Sequence, residues 1–215
     1  MSTLKYFIKN IDKITDLTME HIELISLAMC FALIIWISIG ILIRNHNKLA
    51  NGLLGVASII MSIPSISIYG ILVTIPGFGL SRLSAVFALV LYAMLPIMRN
   101  VYLALNEVDE SIIEAARGMG MKKNQILWKI QLPLAFPIIF AGVRVALVMM
   151  VGIATLAVYI GERNLGRLIQ QGITRTHMDM VLTGGLLVAI LAIVVDGVMA
   201  LIQKKLISPG LHLDS

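Results

Sequence analysis

The hydrophobic positions of the chain fall into five long runs. Each run approaches or exceeds the roughly 20 apolar residues that an α-helix needs to cross the hydrocarbon core of a bilayer. The pattern therefore predicts an all-α, polytopic membrane bundle of about five transmembrane helices. The five predicted spans are Ile22–Ile43, Leu49–Ile75, Leu83–Met98, Ala135–Ile160 and Met180–Ile202.

The stretches outside these runs are too short for a separate globular domain. We assign residues 22–205 to one transmembrane domain and residues 206–215 to a C-terminal tail. Residues 1–21 carry apolar side chains at helical spacing and are predicted to form an amphipathic helix along the membrane surface. The apolar positions of that segment are Leu4, Phe7, Ile8, Ile11 and Ile14.

Composition strengthens this interpretation. Of the 215 residues, 59% are hydrophobic and 13% are charged, whereas about a quarter of the residues in a soluble domain are charged. With five spans the termini lie on opposite sides, and a cytoplasmic C-terminus places slightly more Lys and Arg inside than outside, as the positive-inside rule favours. We expect a multi-pass protein of the bacterial cell membrane.

Several classes of chemistry have no support in the sequence. There is no G-x-x-x-x-G-K-[ST] phosphate loop, no cluster with metal-ligand spacing and no pairing of a nucleophile with a base. We therefore expect no catalytic residue, no metal and no cofactor in this chain. The basic side chains form no soluble patch, so nucleic acid is not an expected partner.

A long polar segment, residues 107–133, separates the third and fourth spans. Ser111 and Glu114 have the spacing of a capping box and predict a helix start. Gly118 and Gly120 are placed to end that helix. Its apolar face would comprise Ile112, Ala115, Ala116 and Met119.

A second short helix is predicted from Lys122 to about Gln131, with Pro133 as its stop. Helices this short are marginal in water and must pack on something. The local pattern leaves two interpretations open: an amphipathic loop on the membrane surface, or a docking element for a soluble partner.

The spacing within this segment resembles a known signature. Glu114-Ala115-Ala116, followed by Gly120, Ile130 and Leu132-Pro133, is similar to the EAA signature of ABC importer permeases. In that family the segment is the coupling helix, which inserts into a groove of a cytoplasmic ATPase subunit. The resemblance also implies a methionine-importer-type permease core. It implies an ATPase-coupling role for Glu114, Ala115, Ala116, Gly118, Gly120, Ile130, Leu132 and Pro133.

Flanking stretches such as "SIPSISIYGILVTIPGFGL" and "LPLAFPIIFAGVRVA" look like the branch that imports osmoprotectants, for example glycine betaine, carnitine and choline. The resemblance implies that ATP is bound by separate ATPase subunits. It also implies a second permease copy or paralogue and an extracytoplasmic binding protein. Methionine or another amino acid is an alternative cargo. An ion-gradient-driven carrier and a non-transporting scaffold are alternatives of other classes.

One segment departs from the family pattern. After the fourth span the family often has Gly-Ala-Gly-Gly-Leu-Gly, whereas this chain has Gly-Glu-Arg-Asn-Leu-Gly at residues 161–166. The segment is expected to face outside. Its new polar side chains, Glu162, Arg163 and Asn164, either alter the outer gate or are neutral changes in a surface loop.

The second predicted span carries polar side chains at one helical spacing, and Pro64 interrupts it. Non-helical backbone at membrane depth is tolerated where it is buried in protein or lines a wet cavity. One hypothesis is a lining of the translocation path, and the alternative is close helix packing through small residues. The candidate residues are Ser58, Ser62, Ser65 and Tyr69.

Two charged side chains lie inside predicted spans at a similar depth. Arg144 belongs to the fourth span and Asp196 to the fifth. Charges within spans usually have a partner, so we predict that the two form a pair. In the alternative, Arg144 reaches backbone carbonyls and Asp196 faces water.

Overall fold

The computed structural model of the chain describes residues 3–206, and these residues form helices and contain no strand. Four helices are long and apolar enough to cross a membrane. In chain order the helices are α1 (Thr3–Lys9), α2 (Ile11–Ile43), α3 (Asn47–Ser62), α4 (Ser65–Thr74), α5 (Arg82–Asn106), α6 (Glu110–Gly118), α7 (Lys123–Ile160), α8 (Gly166–Thr174) and α9 (Met178–Leu206).

The fifth span is the broken pair α3 and α4. The two helices meet at a bend of 99°, so the predicted number of about five spans holds when they count as one. Pro64 explains the break, because proline disfavours helical geometry at the residue before it. Ile63 is extended there, with φ −73° and ψ 132°. Pro64 therefore interrupts the span, as predicted.

The predicted boundary at residue 21 lies inside a helix. α2 begins at Ile11 and continues to Ile43, and Ile14, Leu17 and His21 are already buried along its first turns. α1 packs against the start of α9, where the Thr3 hydroxyl donates to Asp179 over 3.2 Å. Residues 3–21 thus comprise a short helix and the first turns of a longer one, and their position along the membrane surface stays a prediction.

Two other predicted boundaries were wrong. α5 runs to Asn106 rather than Met98, because Arg99 ends the apolar run without ending the helix. Pro133 does not stop a short helix, since α7 continues through it from Lys123 to Ile160. A π-helical turn over Leu127–Gln131 precedes the proline. This wider turn already interrupts the regular hydrogen-bond ladder where the proline N–H is missing.

The core forms around α5, which packs against α2, α3 and α7. The Trp36 indole of α2 donates to the Val90 carbonyl of α5 over 2.7 Å. Gly142 of α7 allows a close approach to α5, because a Cβ there would lie 2.6 Å from the Pro96 carbonyl oxygen. The arrangement leaves α6 at one end of the bundle, the α6 end, and α8 at the other, the α8 end.

Candidate functional site

The N-terminus of α6 is capped by Asp109, whose carboxylate accepts a hydrogen bond from the Ser111 backbone N–H over 2.8 Å. That bond holds the pKa of the Asp109 carboxyl below its usual range. The helix therefore begins at Glu110, and the predicted capping box of Ser111 and Glu114 is not formed. Asp109 is among the strongest N-cap residue types and was the overlooked signal in the sequence.

The C-terminus of α6 is closed by Gly120, which adopts φ +80°. The Met121 N–H donates to the Ala116 carbonyl over 3.1 Å, and the Gly120 N–H donates to the Arg117 carbonyl over 2.9 Å. These are the two bonds of a Schellman motif, which requires a left-handed residue at this position. Gly120 thus ends the helix as predicted, while Gly118 remains its last residue.

Most of the α6 surface is uncovered. Ala116 is buried against the bundle, whereas Met119 is 74% exposed and Ile112 is 42% exposed. Ala115 and Glu114 are exposed beside them. The predicted apolar face is therefore divided: Ala116 contacts the bundle, and the other three members face outward. We call Ile112, Glu114, Ala115 and Met119 the outer strip of α6.

The later signature residues lie at the start of α7. Ile130 and Leu132 are half-buried, and Leu132 packs against the main core. Pro133 is exposed, and Ile126 and Leu127 are buried just before it. The signature thus comprises a protruding short helix and the anchored base of a long span.

The four path candidates lie on two helices and differ in exposure. Ser58 and Ser62 are exposed on α3, whereas Ser65 is half-buried and Tyr69 is fully buried on α4, beyond the 99° bend. The Tyr69 hydroxyl donates to the Ile153 carbonyl over 3.3 Å. The break at Pro64 divides the predicted stripe between two helices. The role of these four residues in a translocation path stays a prediction.

Tyr92 supports this break and was missed by the sequence reasoning. In a continuous helix the Ile63 carbonyl would accept from the Ser67 N–H, but that N–H donates to the Pro64 carbonyl over 2.8 Å. The Tyr92 hydroxyl of α5 donates to the Ile63 carbonyl over 2.5 Å instead. A carbonyl left without a partner within a span needs such a donor, but the sequence does not say which side chain supplies it.

The structure brings Arg144 and Asp196 together. Two parallel contacts join them, Nε to Oδ1 at 2.5 Å and Nη2 to Oδ2 at 2.6 Å. This forked geometry is the strongest that an arginine and a carboxylate can form. The pair links α7 to α9, and its side chains are 32% and 42% exposed on the surface of the bundle.

The segment over residues 161–166 is not simply a surface loop. Asn164 is completely buried, with its Nδ2 donating to the Ala154 carbonyl over 3.0 Å. Its Oδ1 accepts from the Gly166 N–H over 2.7 Å. Asn164 therefore holds the turn between α7 and α8 closed. Arg163, in contrast, is exposed.

A cluster of charges at the α8 end joins this turn to two other helices. Arg82 of α5 lies 3.2 Å from a Glu23 carboxylate oxygen and 3.6 Å from one of Glu20. Burial raises the pKa of the Glu162 carboxyl, Arg82 opposes the shift, and Glu20 and Glu23 add to it. The cluster was not predicted, because its members come from distant points of the chain.

Comparison with known proteins identifies the family. Residues 18–208 match the family described as the binding-protein-dependent transport system inner membrane component. The osmoprotectant import permease protein OsmW of Salmonella typhimurium (strain LT2) is 37% identical, covering 99% of this chain and 100% of the relative. The carnitine transport permease protein OpuCB of Listeria monocytogenes is 34% identical, covering 94% and 91%. The choline transport system permease protein OpuBB of Bacillus subtilis (strain 168) is also 34% identical, covering 91% and 89%.

The fold has a close counterpart among solved structures. A structure of the MetNI methionine ABC transporter in an inward-facing conformation superposes with a TM-score of 0.81, covering 92% of this chain and 98% of that chain at 23% identity. This confirms the predicted all-α, methionine-importer-type permease core. The extent of the family match and the near-complete coverage of the relatives lead to one conclusion: this chain is a multi-pass membrane permease that belongs to the family of binding-protein-dependent transport system inner membrane components.

Proposed function

We propose that this chain is the membrane-spanning subunit of an ATP-driven importer of osmoprotectants such as glycine betaine, carnitine or choline. The observation that carries the proposal is α6, a capped short helix whose outer strip is exposed and lies within the EAA spacing. The names of the related permeases support the cargo class.

The outer strip of α6 is the proposed contact with a cytoplasmic ATPase subunit. Its apolar side chains, Ile112 and Met119, would enter a groove, and Glu114 would supply a charged contact at its edge. The sequence has no phosphate loop, so the partner binds and hydrolyses ATP. In this proposal the α6 end, and with it the end of α9, would lie in the cytoplasm.

A movement of α6 has a direct mechanical route into the membrane. Only the turn at residues 119–122 separates α6 from α7, and α7 is helical from Lys123 to Ile160. α7 also packs closely on α5 through Gly142. ATP binding can shift the conformational equilibrium only if the ATPase contacts α6 differently in its two states.

A second permease copy or paralogue would cover surfaces that this chain leaves open. None of the residues in the most apolar 18-residue stretch of α9 is buried within the chain. Ser58 and Ser62 of α3 are also exposed. We infer that the translocation path forms between two permeases, with these serines as candidate lining. The extracytoplasmic binding protein would dock at the α8 end, where Arg163 and Glu23 are exposed.

The other candidates make different predictions. An importer of methionine or another amino acid would use the same kinds of subunit. The likeness to the methionine transporter shows a shared fold and does not indicate a shared cargo. Binding measurements on the partner binding protein separate these cargoes. A carrier driven by an ion gradient would transport in vesicles without any ATPase.

The decisive experiment uses the reconstituted importer with its ATPase and its loaded binding protein. Gly120→Leu forces a side chain into a left-handed position, and Glu114→Lys reverses the charge of the outer strip. We expect each substitution to lower ATP-dependent uptake roughly fivefold or more. A fivefold change is the lower end of the range that usual coupling free energies produce. The amount of membrane-inserted permease should be unchanged.

Glu107→Lys is the matched control, because Glu107 is exposed in the same polar segment but lies outside the signature. Its uptake and its ATPase stimulation should equal those of the unaltered importer. Normal uptake by the Gly120 and Glu114 variants would contradict the proposed coupling role. Equal loss in the Glu107 variant would show that the effect is not specific to the outer strip.

A further inference from the structure

The α6 end of the bundle contains a cavity of about 460 Å³ that the proposed function does not use. It lies between α6 and the region where the ends of α2 and α5 meet the start of α7. Its walls therefore come from four separate helices and their connections. The polar and charged lining residues are Arg44, Asn45, Asn106, Glu110, Arg117, Lys123 and Gln131.

The charges around this cavity are unbalanced. Three cations line it, Arg44 at the end of α2, Arg117 on α6 and Lys123 at the start of α7, together with the carboxylate of Glu110. Within residues 3–206 none of the three cations forms an ion pair. Arg44 is half-buried, whereas Arg117 and Lys123 are exposed. Like charges gathered around one cavity favour the binding of an anion between them.

The donors around the cavity suit an oxyanion. Arg44 is half-buried, and its Nη1 is held by the Ile41 carbonyl at 2.7 Å, which fixes the guanidinium at the wall. The side-chain amides of Asn45 and Gln131 can add N–H donors. The Asn106 amide donates to the Tyr102 carbonyl over 2.8 Å and has a second N–H to offer. Arginine, lysine and amide donors are the groups that bind a phosphate through charge-assisted hydrogen bonds.

The residues around the cavity indicate the source of an anion that could bind there. Arg44 directly follows the apolar end of α2, where Leu42 is 71% exposed on the bundle surface. Trp128, at the base of α7, is 66% exposed at the same end. Exposed tryptophans are enriched at the level of the lipid headgroups, and basic residues flank the spans there. Both neighbours favour a position of the cavity at the level of the headgroup phosphates.

We propose that this cavity binds the phosphate group of an anionic phospholipid. Arg44, Arg117 and Lys123 would surround the phosphate, and the bound headgroup would connect α6 to the end of α2. Basic pockets between membrane helices are known to take such headgroups. This binding requires only that the chain spans a membrane. The lipid site can therefore be disproved while the transport function stands, and the transport function can be disproved while the lipid site stands.

The test is native mass spectrometry of the purified full chain in detergent, titrated with phosphatidylglycerol and with phosphatidylcholine of the same acyl chains. We expect phosphatidylglycerol to bind more tightly. The triple variant R44Q/R117Q/K123Q should lose that preference, with binding weakened roughly tenfold or more. The control variant K48Q/K129Q/K204Q removes three cations that do not line the cavity and should retain the preference.

A variant that should strengthen lipid binding makes the test independent of how well the triple variant folds. Glu110→Gln removes a negative charge from the lining and should tighten phosphatidylglycerol binding severalfold. Equal binding of the two lipids, or equal loss in the control variant, would overturn the proposal. Inorganic phosphate binding as tightly as phosphatidylglycerol, and lost in the triple variant, would assign the cavity to a free anion and overturn it as well.

Discussion

At the residue scale, Arg144 and Asp196 form a charged contact that joins α7 to α9. A lone charge in a span is unfavourable, and a bidentate partner relieves it. We expect Arg144→Gln to lower the unfolding temperature in detergent because it leaves the Asp196 carboxylate without its partner. The double variant R144Q/D196N should recover most of the loss, because neither charge then remains.

The four unfolding temperatures of this double-mutant cycle give the coupling between the two side chains. Asp196→Asn alone should also be destabilising, since it leaves the arginine unpaired. If the losses of the two single variants simply add in the double variant, the pair does not act as a unit.

At the element scale, the contact between α5 and α7 depends on one close approach. A Cβ at Gly142 would lie 2.6 Å from the Pro96 carbonyl oxygen and 2.6 Å from the Asn100 Cβ. Gly142→Ala should therefore reduce the free energy of unfolding by about 1–3 kcal/mol, the usual penalty of overpacking. Chemical unfolding of the purified chain in detergent micelles measures it.

Gly152 supplies the control in the same helix. A Cβ there meets no heavy atom within 4 Å. Gly152→Ala should be neutral or stabilising by up to about 1 kcal/mol, because alanine favours the helix over glycine. Equal destabilisation by the two alanines would mean that α7 tolerates no alanine at either glycine, whatever the packing around it.

At the scale of the whole molecule, the path of the chain places Met119 of α6 and Lys204 of α9 at one end and Arg163 at the other. We expect single cysteines at Met119 and Lys204, in a Cys30→Ser background, to react with an impermeant maleimide only in inside-out vesicles. A cysteine at Arg163 should react only in right-side-out vesicles. All three positions are exposed.

Labelling after detergent solubilisation is the control for intrinsic reactivity. Reaction of the Met119 and Lys204 positions from opposite sides would contradict the five-span path. Reaction of both from the outside would retain the path and reverse the proposed orientation.

The signature region shows how far sequence reasoning reaches. Gly120 was assigned correctly because a left-handed helix end is a local requirement that glycine meets. The helix start was misplaced, because Asp109 and Ser111 are both good caps and the sequence does not rank them. The exposure of Met119 and the burial of Ala116 depend on which face α6 turns to the bundle, and spacing cannot specify that.

The sequence by itself determined the properties that depend on local composition and spacing. These are the membrane class, the number of spans, the break at Pro64 and the short helix before Gly120. Tertiary structure decided the rest. It separated Tyr69 from Ser58 by a 99° bend, paired the Ile63 carbonyl with the Tyr92 hydroxyl and buried Asn164. It also brought around one cavity three cations that form no ion pair within residues 3–206. The physical reason is that these outcomes depend on contacts between distant segments, and a contact of that kind exists only once the helices have packed.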